Sequence, residues 1–83
     1  MNERAVGIIA IIVKERENTA QKVNEILADF GEMVVGRLGL PYQERKLHII
    51  TLIVDASNDR IGALTGKLGQ IPGITVKSTL AKL

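Results

Sequence analysis

The sequence predicts an α+β domain in which a strand–helix–strand unit occurs twice, in the order βαββαβ. Three observations indicate this fold class: aliphatic runs rich in β-branched residues, two amphipathic stretches of helical period, and turn residues that separate them. The chain has 83 residues, of which 46% are hydrophobic, and this is enough for one small core. We therefore expect a single domain over residues 1–83.

The first unit occupies the N-terminal part of the chain. Its first strand is expected over residues 4–14, where Ile and Val predominate and suit a pleated surface. A helix follows, with Asn18 as N-cap and Gln21 three residues later, which is the spacing of a capping box. Gly31 allows this helix to stop, and the second strand is expected over residues 33–40. Four apolar residues at helical spacing predict the buried stripe of the helix: Ala20, Val23, Leu27 and Phe30.

The second unit repeats this order, beginning with a strand over residues 46–55. A helix starts where three residues supply cap oxygens or negative charge: Ser57, Asn58 and Asp59. Its buried stripe consists of Ile61, Leu64 and Leu68. Pro72 and Gly73 turn the chain into the last strand, which is expected over residues 74–80.

Residues 39–45 connect the two units and contain Pro41, which suits a hairpin. With this connection the order is the split βαβ arrangement of ferredoxin-like folds. We expect a four-stranded antiparallel sheet with both helices on one face.

The first and third strands are apolar on both faces, whereas a sheet covered on one face usually alternates apolar and polar residues. One face of the first strand carries Val6, Ile8, Ala10 and Ile12, and the other carries Ile9, Ile11 and Val13. The third strand sets Leu47, Ile49 and Ile53 against Ile50, Leu52 and Val54. Central strands that simply favour Ile and Val would explain this pattern in a monomer. Since an apolar face in water marks an interface, we expect a homodimer or homotetramer that forms through the sheet face or its edges.

The residues that usually carry out catalysis or bind metals are sparse. Cysteine is absent, which excludes disulfides and thiolate metal sites. His48 is the only histidine, whereas a metal site takes three or four protein ligands. A strand histidine on a partly buried face is the simpler interpretation, although symmetry in an oligomer would bring copies of His48 together. We predict no catalytic residue, no metal and no cofactor.

Gly62, Gly66 and Lys67 invite comparison with a phosphate-binding loop. Three residues separate these glycines where the motif has four, and Leu68 follows the lysine instead of Ser or Thr. The segment also lies in an amphipathic helix, so we interpret the two glycines as positions where a neighbouring element approaches closely.

Four polar residues have no evident structural role and are predicted as a ligand or partner site: Arg37, Tyr42, Thr65 and Lys67. Arg37 lies on a strand and could face an anion or a partner carboxylate. A solvated surface role is the alternative for Lys67.

Composition argues against nucleic acid and membrane as partners. The net charge is only +2, and RNA recognition on a sheet uses exposed aromatic rings, of which the chain has one Phe and one Tyr. The apolar run over residues 5–13 is far shorter than the roughly 20 residues that span a bilayer. The N-terminal residues lack the pattern of a signal peptide. We expect a soluble, cytoplasmic protein that does not contact DNA directly.

Three stretches resemble the iron-only hydrogenase system regulator family: residues 36–42 (GRLGLPY), 49–55 (IITLIVD) and 62–73 (GALTGKLGQIPG). The resemblance extends over essentially the whole chain. It implies an ACT-like, ferredoxin-like fold related to the C-terminal domain of the nickel-responsive repressor. Family members are encoded beside the genes that build and mature the hydrogenase, which implies a regulatory role and leaves the mechanism open.

The chain departs from the wider group at its binding residues. Amino-acid-binding ACT domains generally have a glycine near the turn from first strand to first helix, and this chain has none there. The nickel-responsive domain uses several histidines and a cysteine, and it follows a DNA-binding segment. Neither amino-acid sensing, nickel sensing nor operator binding therefore transfers to this chain.

These observations together predict a non-enzymatic regulatory domain of the hydrogenase system. It would act as an oligomer by binding a small ligand or a protein partner, such as a hydrogenase maturation or regulatory protein. The alternative is a pure interaction or assembly module without a small ligand. A concave pocket at a subunit interface near Arg37 and Tyr42 would distinguish the two.

Overall fold

One antiparallel sheet and two α-helices build the described part of the molecule. The computed structural model describes residues 4–14, 18–81 and 83. In chain order the elements are β1 (Arg4–Lys14), α1 (Thr19–Asp29), β2 (Val34–Tyr42), β3 (Leu47–Ser57), α2 (Asn58–Gly69) and β4 (Ile74–Ala81). The strands lie in the order β2-β3-β1-β4, and all neighbours are antiparallel. The predicted ferredoxin-like α+β fold is confirmed.

The hydrophobic core lies between the helices and one face of the sheet. Strands β1 and β3 pair over their full length, in a register that sets Ile9 beside Leu52 and Ile11 beside Ile50. Each of these four side chains is at most 2% exposed. The helices cover them with a second layer of buried side chains: Val23, Leu27, Ile61, Leu64 and Leu68. Each such aliphatic side chain contributes about 1.5–3 kcal/mol when it is fully buried, so a core almost without aromatic rings still holds the fold.

The start of α1 differs from the predicted capping box. Asn18 is the N-cap, but it has a left-handed backbone (φ 68°) and its side chain makes no capping hydrogen bond. Caps that bind helix amides have extended backbones, whereas Asn tolerates the left-handed region. Gln21 Nε2 instead donates to Glu25 Oε1 at 3.3 Å.

The phase of α1 is shifted by one residue at its first turn. Thr19 is buried and Ala20 is exposed, so the predicted place of Ala20 in the apolar stripe is wrong. The rest of the predicted stripe is buried. The helix ends at Asp29, and a 3₁₀ turn over Gly31–Met33 leads into β2. Gly31 does not adopt the left-handed backbone conformation with which a glycine commonly ends a helix.

The second helix begins and ends as its sequence indicates. Ser57 has an extended backbone, and its Oγ accepts a hydrogen bond from the backbone N–H of Arg60 at 3.2 Å. This is the expected N-cap. After α2, Gly73 adopts a positive φ of 86°, a conformation that glycine allows at little cost. Its carbonyl oxygen accepts a hydrogen bond from the Lys14 N–H at 3.1 Å, which ties the turn to β1.

Strand β2 is longer than predicted and includes the proline. Pro41 pairs with His48, and the strand continues to Tyr42 before a 3₁₀ turn over Gln43–Arg45. Because β2 lies at the edge of the sheet, one side of its backbone needs no ladder partner and a proline is tolerated there. Lys46 closes the hairpin with a left-handed backbone, φ 55°. The hairpin is therefore shorter than the predicted residues 39–45.

The two helix starts give a direct test of capping. Replacing Ser57→Ala removes the Oγ acceptor and should lower the free energy of unfolding by about 1 kcal/mol. Asn18→Gly should change it by only a few tenths of a kcal/mol, because no capping bond is lost and glycine suits a positive φ. Urea denaturation of both variants measures the difference. Equal losses would contradict the assignment of caps.

Candidate functional site

A cavity of about 180 Å³ lies where the start of α1 meets the β2–β3 hairpin. We call it the hairpin cavity, and its lining residues are Val13, Lys14, Ala20, Pro41, Gln43, Leu47 and His48. Three adjacent strands build it, because Val13 on β1 pairs with His48 on β3, which pairs with Pro41 on β2. The strand ends therefore bring distant parts of the sequence to one place. Aliphatic carbons form most of its wall, and Lys14, Gln43 and His48 add the polar groups.

His48 is half-buried on the helix side of the sheet, as expected for a strand histidine. The imidazole lies against Gly39 of β2, where a Cβ would be 3.4 Å from His48 Nε2, at the limit of ordinary van der Waals contact. Among the residues that the structure describes, no group of three or more His, Cys, Asp or Glu side chains comes together. Within one chain, His48 is therefore a polar group at an apolar cavity.

A second and wider cavity, of about 240 Å³, lies between α1 and the edge strand β2. We call it the Arg37 groove, and it is lined by Asn24, Leu27, Ala28, Gly31, Val34, Arg37 and Leu52. Arg37 Nη2 donates to Asn24 Oδ1 at 2.7 Å, which fixes the guanidinium against the helix. Its remaining N–H groups can still bind an anion, since guanidinium has five donors.

The structure distributes the four predicted site residues over different surfaces. Arg37 lines the groove on the helix side, whereas Tyr42 lies on the opposite face of the sheet, where its Oη donates to Glu44 Oε2 at 3.5 Å. Thr65 lies on α2, and its Oγ1 donates to the Gly62 carbonyl oxygen at 3.2 Å. In the described part of the chain, no hydrogen bond joins any two of the four. Their assignment as a ligand site stays a prediction, and one chain does not gather them into one cavity.

Lys67 has a structural contact that the sequence did not indicate. Its Nζ lies 5.5 Å from the centroid of the Phe30 ring, and Arg60 Cζ lies 4.8 Å from the same centroid. Arg60 also forms an ion pair with Glu32. Two cations over one ring stabilise the contact between α2 and the end of α1. Helical spacing predicts neighbours within α2 only, so no sequence signal pointed to Phe30.

A third cavity, of about 310 Å³, lies beside the N-terminus of α2, and its charges are compensated. Arg4 Nε lies 3.1 Å from Asp55 Oδ1, and the Arg60–Glu32 pair forms its other wall. Because each guanidinium already has a carboxylate partner, this cavity offers an anion little attraction.

No described element covers the face of the sheet opposite the helices, which we call the open face, and this face is apolar. Five large hydrophobic side chains stand exposed on it: Ile8, Leu38, Leu40, Tyr42 and Ile53. Leu38 is 66% exposed and Leu40 is 51% exposed, and together with the other three they form an apolar patch of the kind that marks an interface. The two-sided pattern of β1 and β3 predicted such a second apolar face, and the structure shows it.

The interpretation of Gly62 and Gly66 is wrong within this chain. Both lie on the exposed side of α2, and a Cβ at either position would meet nothing within 4 Å. No described element approaches them closely. They are also in a helix and not in a loop after a strand, so they do not form a phosphate-binding loop.

These glycines lead to a stability prediction. Because Gly66 has a helical neighbourhood and open space around it, Gly66→Ala should raise the free energy of unfolding by up to about 1 kcal/mol. Thermal denaturation at low protein concentration measures the effect, with the solvent-exposed Ala63→Gly on the same helix as the reverse control. A loss of stability in Gly66→Ala would show that another surface packs there.

In the described residues, no helix is both long enough and apolar enough to cross a membrane.

Solved structures show that this arrangement is the ACT-like fold. The ACT domain of GTP pyrophosphokinase from Chlorobium tepidum superposes with a TM-score of 0.76, at 16% identity, over 89% of this chain and 96% of that one. The regulatory subunit of aspartate kinase from Thermus flavus has a TM-score of 0.52 at 17% identity, over 96% of this chain and 56% of that one. At these identities the likeness shows the fold alone. The molecule is an ACT-like domain.

A further structural match and a family model give the family. Uncharacterized protein TM1266 from Thermotoga maritima superposes with a TM-score of 0.93, at 44% identity, over 96% of this chain and 100% of that one. The model of the TM1266-like family, iron-only hydrogenase system regulator, matches residues 5–78. The chain belongs to this family, which confirms the resemblance found in the sequence. No curated protein matched.

Proposed function

We propose that the chain is a non-enzymatic regulatory domain of the iron-only hydrogenase system that works as a homo-oligomer and binds a small ligand in the hairpin cavity. Membership of the regulator family and the ACT-like fold support the regulatory part. The hairpin cavity is the observation that supports ligand binding, because it combines apolar walls with the polar groups of Lys14 and His48.

The size and chemistry of the hairpin cavity define a ligand class. At about 180 Å³ it is smaller than the roughly 300–1,000 Å³ pockets that hold drug-sized molecules. Its walls are mostly aliphatic, and the Lys14 ammonium attracts negative charge. A small molecule with a short apolar part and one anionic group fits these features.

The hydrogen bonds of the described residues support a binding role in preference to catalysis. Thr65, the one hydroxyl-bearing aliphatic side chain among the predicted site residues, donates to a backbone carbonyl, and among the described residues no hydrogen bond joins it to a base. Two carboxylates are held in ion pairs: Asp55 pairs with Arg4, and Glu32 pairs with Arg60. Nucleophilic and acid–base catalysis both need a base within hydrogen-bonding reach of the group that it activates.

A pure assembly module without a small ligand is the second candidate function. The open face favours it, since this apolar surface suits a protein partner better than a metabolite. In that case the hairpin cavity and the Arg37 groove would stay empty, and the exposed sheet would provide the binding surface.

Native mass spectrometry of protein purified from cell extract with minimal washing tests the ligand. We expect a reproducible additional mass of a few hundred daltons or less, in keeping with the cavity size. Ala20→Leu should abolish it, because the larger side chain enters the hairpin cavity from α1. The matched control is Ala28→Leu on the same helix, which fills the Arg37 groove instead.

The two variants separate the possible outcomes. Loss of the mass only in Ala28→Leu would move the ligand to the Arg37 groove and overturn the hairpin cavity as its site. A bare protein in every sample, including wild type, would favour the assembly module.

A further inference from the structure

The open face combines an apolar centre with a polar margin. Strands β2, β3 and β1 contribute the apolar side chains, and register places Thr51 and Ala10 side by side at the middle of the face. The edge strand β4 contributes polar residues to the same face: Thr75, Lys77 and Thr79, which pair with Ile12, Ala10 and Ile8. An apolar core with a polar rim is the usual anatomy of a protein interface.

We propose that the open face binds the open face of a second copy of this chain, so that two sheets stack face to face in a two-fold symmetric dimer. The proposal rests on the oligomer in the proposed function and names the surface that forms it. Two flat sheets of this kind pack about 10 Å apart, with their strands within about 30° of each other. Side chains of both copies then fill the space between the sheets.

The size of the molecule suits a second copy. Its Cα atoms extend over 43 × 20 × 17 Å. The two longer extents enclose a rectangle comparable to the roughly 800 Å² that each partner contributes to a standard interface. Burying Leu38 and Leu40 against an identical sheet removes from water the most exposed large side chains of the open face. The hydrophobic effect is roughly proportional to the apolar area that is removed from water.

A two-fold axis that crosses the strands keeps like charges apart. Asp55 pairs with Val6 at one end of the β1–β3 pair, where Arg4 compensates its charge, and Lys14 pairs with Leu47 at the other end. Such an axis lays each Lys14 over the compensated Arg4–Asp55 end of the other copy and away from the second Lys14. An isologous interface needs this kind of self-complementarity.

The same geometry argues against a nucleic acid on this face. Single-stranded nucleic acids stack on exposed aromatic rings, and Tyr42 is the only aromatic residue among the exposed side chains of the described residues. The Arg37 groove lies on the helix side, so it stays open in the dimer. The hairpin cavity also opens towards α1, and it borders the open face only at Lys14 and Leu47. The two copies of His48 also lie on the helix sides and do not meet across this interface.

Sedimentation velocity of matched variants tests the dimer. Leu40 is 51% exposed on the open face and Leu80 is 43% exposed on strand β4, next to Gly7 on the helix side. Leu40→Lys buries two charges in the proposed interface and should weaken dimerisation by at least about 100-fold, which is about 2.7 kcal/mol. Leu80→Lys places the same charge on the other face and should leave the dimer intact. Circular dichroism of both variants checks that the fold is kept.

Cross-linking gives a measurement that does not depend on weakening the dimer. The chain has no cysteine, so Thr51→Cys provides a single thiol at the centre of the open face. A short bismaleimide should join two copies efficiently. Thr65→Cys on α2 is the control and should remain uncross-linked.

The outcomes separate this inference from the proposed function. A wild-type dimer that survives Leu40→Lys and resists cross-linking at position 51 would overturn the face-to-face interface and leave the ligand site untouched. A wild-type protein that is monomeric at micromolar concentration would also overturn it. If that monomer floats with anionic vesicles, the open face would instead bind a membrane surface.

A Leu40→Lys monomer that keeps its ligand mass supports the interface and shows that assembly and ligand binding are separate. A dimer without any ligand mass would keep the interface and refute the ligand.

Discussion

The pairing of β1 with β3 is the constraint on which the rest of the molecule depends. The two strands are antiparallel over their full length, and both carry aliphatic side chains on both faces. Two short helices can cover only one face of such a pair. On that face Ile9, Ile11, Ile50 and Leu52 become the centre of the core. The other face keeps its apolar side chains and no described element covers it, so the composition of two strands creates both the core and a second apolar surface.

A small chain has few ways to gain stability, and this domain uses most of them on its helix side. An 83-residue domain buries a smaller fraction of its surface than a large one. Here the helices are fixed by aliphatic burial, by one Ser57 cap and by two cations over Phe30. Glycines at 62 and 66 lower the intrinsic stability of α2, and no described residue packs against the positions where their side chains would be. Stacking of a second sheet would add apolar burial on the face that the helices leave free.

The proposed ligand site and the proposed interface lie mostly on opposite sides of the sheet. The hairpin cavity and the Arg37 groove lie beside α1, where strand ends and the helix leave space between them. Most of the open face lies on the other side of the sheet, so a ligand and a partner copy would contact largely different atoms. Lys14 and Leu47 are the exception, because they line the hairpin cavity and belong to the open face by register. Coupling between the two sites would run through β1 and β3, which contribute residues to both faces.

Much of this protein follows from its sequence, because the signals concerned are local. Period-2 and helical patterns, Ser57 before a helix and Pro72–Gly73 before a strand determined the elements and the βαββαβ order. The two-sided strands determined the second apolar face, and the motifs of residues 36–73 identified the family.

Contacts between residues that are distant in the chain were decided only by the tertiary structure. It placed Lys67 over Phe30, separated Arg37 from Tyr42 by the sheet, and brought Lys14 and His48 to one cavity. It also showed the left-handed backbone of Asn18, which leaves the start of α1 without a side-chain cap. Local patterns carry no information about such contacts, since register and packing join residues that are far apart in the chain.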